Sequence, residues 1–356
     1  MKNKIIAFFA TVLSVITLAN CSGVANSAYK GAYWSASPSF TGVDENMYEK
    51  LEYEVTAITN SDYANAIVPN KALSFSVNPE SKYETTLTAK DGLYVFQTKL
   101  IIKGEYTYGN GKTIAVDDSI ETENLFKGFG DKFAPVKSTK VVKNTVPLNA
   151  SPANEEAFVK VDYVSVIEYK DDTATVTVEP KNKDSEQFLA VVKKPVTVKK
   201  YNKKAYIEND LMALMFRNFK YEQTLSYTFN SIEDVTGALK QSKASIRPFT
   251  TTTTDKNNTQ TQMIQTMTIP NCSIDGGNSY YDEKFNAVGI NFQTTGEFSQ
   301  TYMTAYYANS INDGGDTNAK DDENASRHVM IQCYRPNIYS TGYLVYTLHT
   351  ATFHAD

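Results

Sequence analysis

Histidine is scarce in this chain: His328, His349 and His354 are the only three in 356 residues. A hydrolase built from a nucleophile, a base and an orienting group needs such a base, and no serine stands in a Gly-x-Ser-x-Gly elbow. Neither Cys272 nor Cys333 has a histidine beside it in sequence. An enzyme is therefore not expected, and no catalytic or cofactor-binding residue is assigned. Zinc would want three or four converging ligands. His349 and His354 lie five apart in a strand-like run, so their side chains point to opposite faces and read as structural polar residues. Positive charge is also short. Without residues 1–20 the chain carries 33 basic against 40 acidic residues, a net charge of −7. That argues against a nucleic-acid partner, whose binding draws on Lys and Arg neutralising phosphates.

Long Ala, Leu and Glu runs are few, while 24 Tyr, 18 Phe and many Thr favour strands. Hydrophobic residues make up 41% of the chain, enough for a core and above a disordered composition. Alternation begins at Leu51-Glu52-Tyr53-Glu54-Val55 and returns at Ala72–Val77 and Tyr83–Thr88. Lys90-Asp91-Gly92 then reads as a hairpin turn into Leu93–Lys103, and Asn110-Gly111 as a second. Thr113–Val116, Ser119–Lys127 and Val136–Val146 complete an antiparallel meander. Residues 147–156, rich in Pro, Asn and Ala, interrupt it. Strands resume at Phe158–Tyr169, Ala174–Val178, Phe188–Val192 and Val196–Val198. Later ones are expected at Thr224–Phe229, Gln262–Ile269, Ala287–Thr294, Gln300–Ala308, Arg327–Tyr334 and Tyr343–Phe353, with a helical turn at Ile232–Val235. One helix is expected over Asn209–Phe219, capped by Asn209 or Asp210, with Leu211, Leu214, Met215 and Phe219 on one stripe that packs on the sheet.

Three polar segments invite functional readings and receive plain ones. Asp313, Asp316, Asn318, Asp321 and Asp322 offer oxygens suited to calcium, yet their spacing misses the Asp-x-Asp-x-Asp-Gly register and Lys320 intrudes. A solvated acidic loop is expected there, and no metal site. Lys193, Lys194, Lys199, Lys200, Lys203 and Lys204 flank Val196–Val198, as lysines guard an edge strand; a contact with anionic lipid or a wall polymer is the alternative. Thr250–Thr254 reads by default as part of a polar loop, with glycosylation of the threonines as the alternative.

The N-terminus fixes an address. Lys2 and Lys4 precede an apolar run from Ile5 to Leu18 that falls short of the roughly 20 residues of a spanning helix. Leu18-Ala19-Asn20-Cys21 follows and resembles the lipobox of bacterial lipoproteins, with Asn20 where Gly, Ala or Ser is usual. The resemblance implies that residues 1–20 are a signal peptide and that Cys21 carries a lipid holding the protein to a membrane in the cell envelope. Residues 21–48 then form a tether. With Cys21 so used, Cys272 and Cys333 remain as a pair in a compartment where disulfides persist. A bridge is expected, closing a loop of about 61 residues worth about 4 kcal/mol; two separately buried thiols are the alternative.

The order of elements is similar to β-rich exported bacterial domains of uncharacterised function. These run as strands, a short apolar helix like Asp210–Arg217, and strands closing on one like Gly342–Leu348. In outline it is also similar to the half-barrels of periplasmic lipoprotein carriers, which hold acyl chains between a curved sheet and helices. The fold expected is mainly β: an antiparallel meander forming a curved sheet or half-barrel with one packed α-helix, as a single domain over residues 49–356. Two functions follow. One is a lipid-anchored binding or surface-structural protein meeting an envelope component; the other is a half-barrel carrier of lipid or another apolar ligand.

Overall fold

The computed structural model describes residues 45–59, 72–108, 113–127, 134–147, 158–170, 173–189, 196–199, 206–207, 214, 216–218, 225–237, 239–248, 250–254, 256, 260–264, 266–274, 279–295, 301–308, 328–336 and 342–353. The architecture is mainly β, a curved half-barrel sheet with a short packed helical segment. The first half is a meander: β1 (Tyr48–Thr59), β2 (Ala72–Val77), β3 (Lys82–Lys90), β4 (Leu93–Tyr108), β5 (Thr113–Lys127), β6 (Ala134–Pro147), β7 (Phe158–Lys170), β8 (Thr173–Pro180) and β9 (Val196–Lys199). From β3 to β9 each strand pairs antiparallel with the next. The β3–β4 hairpin turns through Asp91 (φ 55°) and Gly92 (φ 73°), the positive angles a two-residue primed turn requires. Pro147 faces Phe158 in the ladder, so the interruption expected near 147–156 joins two neighbours of one sheet.

The second half holds β10 (Tyr206–Ile207), β11 (Leu225–Ile232), β12 (Leu239–Pro248), β13 (Thr250–Thr254), β14 (Gln260–Ile264), β15 (Thr266–Ile274), β16 (Tyr281–Thr295), β17 (Thr301–Ala308), β18 (Met330–Pro336) and β19 (Gly342–Thr352). Here β15, β16, β17, β18 and β19 follow one another and β15 returns to β19 in parallel, which closes a ring. The two halves meet at β1, which pairs with β3 on one edge and with β19 on the other. The main core lies within this junction and includes Leu51, Tyr53, Leu87, Phe96, Phe216, Ile290, Tyr307 and Leu348.

Several expectations need correction. Cys272 and Cys333 are free and buried, not bridged. Cys272 sits on β15 and Cys333 on β18 with β19 between them. Two strand spacings are about 10 Å, beyond the ~7 Å between Cα atoms that a disulfide spans. Burial pushes both thiols up to about 12, so they stay protonated. Phe188, expected in a strand, ends helix α1 (Lys183–Phe188). The missed signal is Asn182, whose Oδ1 accepts from Ser185 N at 2.7 Å and caps the helix. The five threonines form β13, paired with β14, because β-branched side chains suit an extended backbone more than a loop. Strand β12 was not expected. Of the helix expected over Asn209–Phe219, Leu214 is helical and Phe216–Asn218 form a 3-10 turn; Leu211, Met215 and Phe219 lie outside the described residues. The acidic segment 312–324, His354 and Cys21 also lie outside them, whereas Met47, placed in the tether, is buried in the core.

Candidate functional site

Alternation along β3–β8 sends one set of side chains inward, and the register places them in cross-strand rows. One row is apolar: Tyr83, Leu100, Ile120, Val142 and Tyr163. Two residues along lies Thr85, Thr98, Thr122, Lys140 and Ser165. The next runs Leu87, Phe96, Asn124, Ser138, Ile167 and Val176, apolar at both ends and polar in the middle. Beyond it stand Tyr94 and Phe126, stacked at 5.5 Å. The inward face therefore carries a polar island about 19 Å long, from β3 to β7 at roughly 4.8 Å per strand, surrounded by apolar rows.

The island is buried: Asn124 is 0% exposed and Ser138 3%. Thr98 Oγ1 and Thr122 Oγ1 share a hydrogen bond of 2.7 Å, and Asn124 Nδ2 donates to Thr122 Oγ1 at 3.5 Å. Asn124 Oδ1 and Ser138 Oγ, on directly opposed residues, have no hydrogen-bond partner. Each such group costs about 1–3 kcal/mol when left unsatisfied in an interior.

Two elements bracket the island. At its β7 end the turn after β11, closed by Gly237 N donating to Glu233 O, lays Asp234 over it. Asp234 Oδ2 lies 3.3 Å from Lys140 Nζ and accepts from Tyr163 OH, while Ser165 Oγ donates to the Asp234 carbonyl. Ile232 of the same segment packs with Ile167, Ala174 and Val176. At the β3 end sits the 3-10 turn. Arg217 Nη1 and Nη2 donate to Glu49 Oε1 and Oε2 at 2.6 and 2.8 Å, a bidentate pair with both side chains buried. His328 Nδ1 lies 2.9 Å from the Arg217 carbonyl oxygen. Burial pushes the His328 ring down to about 4, so at neutral pH the neutral imidazole donates to that carbonyl. A void of about 20 Å³, room for one water, opens between Thr85, Phe96, Leu214, Arg217, Tyr53 and Tyr307.

The other residues that the sequence singles out stay dispersed. His349 stacks on Tyr280 at 4.8 Å and reaches Glu54 at 3.5 Å, whereas His328 lies against the Arg217 carbonyl. Among the described residues no group of three or more His, Cys, Asp or Glu could hold a metal ion. The outward face of β3–β6 forms an open hollow of about 390 Å³, paved with side chains already matched to one another. Lys99 meets Glu121 at 2.7 Å and Gln97 meets Glu123 at 2.9 Å. Sequence reasoning missed the island because Thr, Ser and Asn occupy either face of a strand. It missed the Arg217 pair because a lone arginine after an apolar stripe reads as solvated. The even-numbered run Asp118, Ile120, Thr122, Asn124, Phe126 on β5 was the available signal.

Fold and site together define a half-barrel β protein with a polar island sealed into an apolar face. No protein-family profile matches the sequence, and no curated protein matches it. Among solved structures the chain is similar to a beta-barrel-like protein of a domain of unknown function, DUF1849, from Brucella abortus. That match has 6% identity and a TM-score of 0.46, and covers 88% of this chain and 100% of the other.

Proposed function

We propose that the protein is a non-catalytic half-barrel carrier that holds an amphipathic ligand against the inward face of β3–β8. The observation that carries this reading is the pair of unpartnered buried acceptors, Asn124 Oδ1 and Ser138 Oγ, flanked by Phe96 and Leu87 on one side and Ile167 and Val176 on the other. A sheet buried only for stability gains nothing from polar atoms left unsatisfied there. A headgroup bearing hydroxyl or amide hydrogens would satisfy both acceptors, and its apolar part would lie on the flanking rows. The Asp234 turn is the element a ligand would displace on its way in.

Organic extracts of purified protein are expected to contain an amphiphile near one per chain. A fluorescent fatty alcohol is expected to bind the delipidated protein. Asn124→Leu with Ser138→Ala should weaken that binding about tenfold or more while leaving the fold intact, since it removes two unsatisfied buried acceptors and gives up only the long 3.5 Å bond from Asn124 Nδ2 to Thr122 Oγ1. Absence of any retained amphiphile, together with no probe binding, would mean that water fills the island and would end the carrier reading.

A second reading, a surface-structural module, draws support from the closed ring. Ile269, Ala287, Ala305, Tyr307, Ile331, Cys333 and Leu348 are all fully or almost fully buried. Such an interior resembles an ordinary close-packed core.

The envelope address belongs to the same proposal. Cys21 is acylated, and Cys21→Ser is expected to shift the protein from the detergent phase to the aqueous phase or to leave it unprocessed. Identical partitioning and identical mature mass in wild type and variant would sink the anchor.

A further inference from the structure

The outward side of the ring differs in chemistry from the outward side of the meander. On β3–β6 it is charged, with Glu84, Lys99, Glu121 and Glu123. On β17–β19 the register gives a different set. Tyr343 stands opposite Pro336, Tyr334 lies between Val345 and Thr304, and Gln332 lies between Thr347 and Tyr306. None of these residues carries a charge. The tyrosines step diagonally, one strand over and two residues along each time, so their Cα atoms are about 8 Å apart over three strands. Tyr306 and Tyr334 meet edge to face at 6.3 Å. Between the rings lie amides and hydroxyls that pair among themselves: Thr304 Oγ1 donates to Asn291 Oδ1 at 2.9 Å, and Gln332 Nε2 to Thr347 Oγ1 at 3.3 Å.

We infer that this strip binds a neutral glycan. Tyrosine offers an apolar ring face with a polar tip, which suits a sugar's C–H face and its hydroxyls together. Asn, Gln and Thr side chains both donate and accept, as sugar hydroxyls do. The strip's own side chains are neutral, and the charge that borders it, Glu54 opposite Thr347 on β1, would repel an anionic polymer. A protein partner is disfavoured because Tyr306 and Tyr334 are half sunk and Val345 is buried, which leaves a shallow surface whose protruding apolar side chains, Tyr343 and Ile58, stand at one end rather than at its centre. Tyr343 is the most open ring of the three, 38% exposed, and Ile58 faces it across the β1–β19 ladder. The strip lies outside the ring and the island lies inside the meander, so this inference stands apart from the carrier reading.

Native affinity electrophoresis of the full chain in gels containing hydroxyethyl cellulose, galactomannan, dextran or alginate tests it. Retardation is expected in at least one neutral polymer and not in alginate. Tyr343→Ala and Gln332→Ala should each weaken it about tenfold, with circular dichroism unchanged. Asn124→Leu with Ser138→Ala, which touches only the island, should leave it unaltered. No retardation in any neutral polymer, retardation by alginate alone, or retardation indifferent to both strip variants would overturn the inference.

Discussion

Arg217→Met is expected to lower the stability of the folded chain by roughly 3–5 kcal/mol, the usual cost of removing one partner of a buried ion pair. The cause is the carboxylate left behind. Glu49 is 1% exposed and loses both of its guanidinium hydrogen bonds at once. Arg217→Met combined with Glu49→Leu should recover most of the loss, because hydrophobic residues of similar volume often replace a buried pair at little cost. Urea denaturation of the two variants beside wild type measures both quantities. A single variant within about 1 kcal/mol of wild type would mean that the pair is solvated in solution and that the 3-10 turn is not clamped.

Leu214→Ala carries the second large effect, a loss of roughly 2–5 kcal/mol as for other buried leucines. Leu214 is 2% exposed and belongs to the main core, and Phe216 beside it packs on Phe292 at 5.5 Å and on Tyr307 at 6.5 Å. The adjoining void is too small to relieve that packing. The measurement is urea denaturation of delipidated protein, run with mass spectrometry of any retained amphiphile. A loss of stability at the upper end with unchanged lipid content identifies Leu214 as core. A small loss with more lipid retained would identify the segment as a plug that ligand displaces, which favours the carrier reading over the surface-structural one.

What the sequence made legible follows from which physical signals are local. Alternation of large apolar and polar residues placed β1–β8 because one face is buried and a strand repeats every two residues. Asp91-Gly92 located its hairpin because the turn needs positive φ at both positions. The run Leu239–Pro248 carries no such signal, since Lys, Gln, Ser and Arg occupy six of its ten positions, and it becomes a strand by pairing with β11 and β16. Parity of cysteines pointed to the wrong bridge, because counting thiols says nothing about the strand that lies between them. The apolar stripe correctly marked Leu214, but the tightening of the last turn to 3-10 geometry brings Phe216 and Arg217 inward as well. Neither the polar island nor the tyrosine strip is local. Each exists only in the register between strands far apart in sequence, which no single stretch of residues reveals.

The position of β1 sets a clock for assembly. Lys50 pairs with Thr352, so the seam between meander and ring joins strands far apart in sequence. Closing a flexible loop of that length costs on the order of 5 kcal/mol of chain entropy, and the cost falls only as the intervening strands pair. A nascent chain therefore holds β1 with one edge unpaired until β19 is available. Folding is slow by topology, and the open edge is a site where a second copy or a chaperone can pair first. A chain cut short before Gly342 would keep that edge open permanently, so the integrity of β19 decides whether β1 is protected.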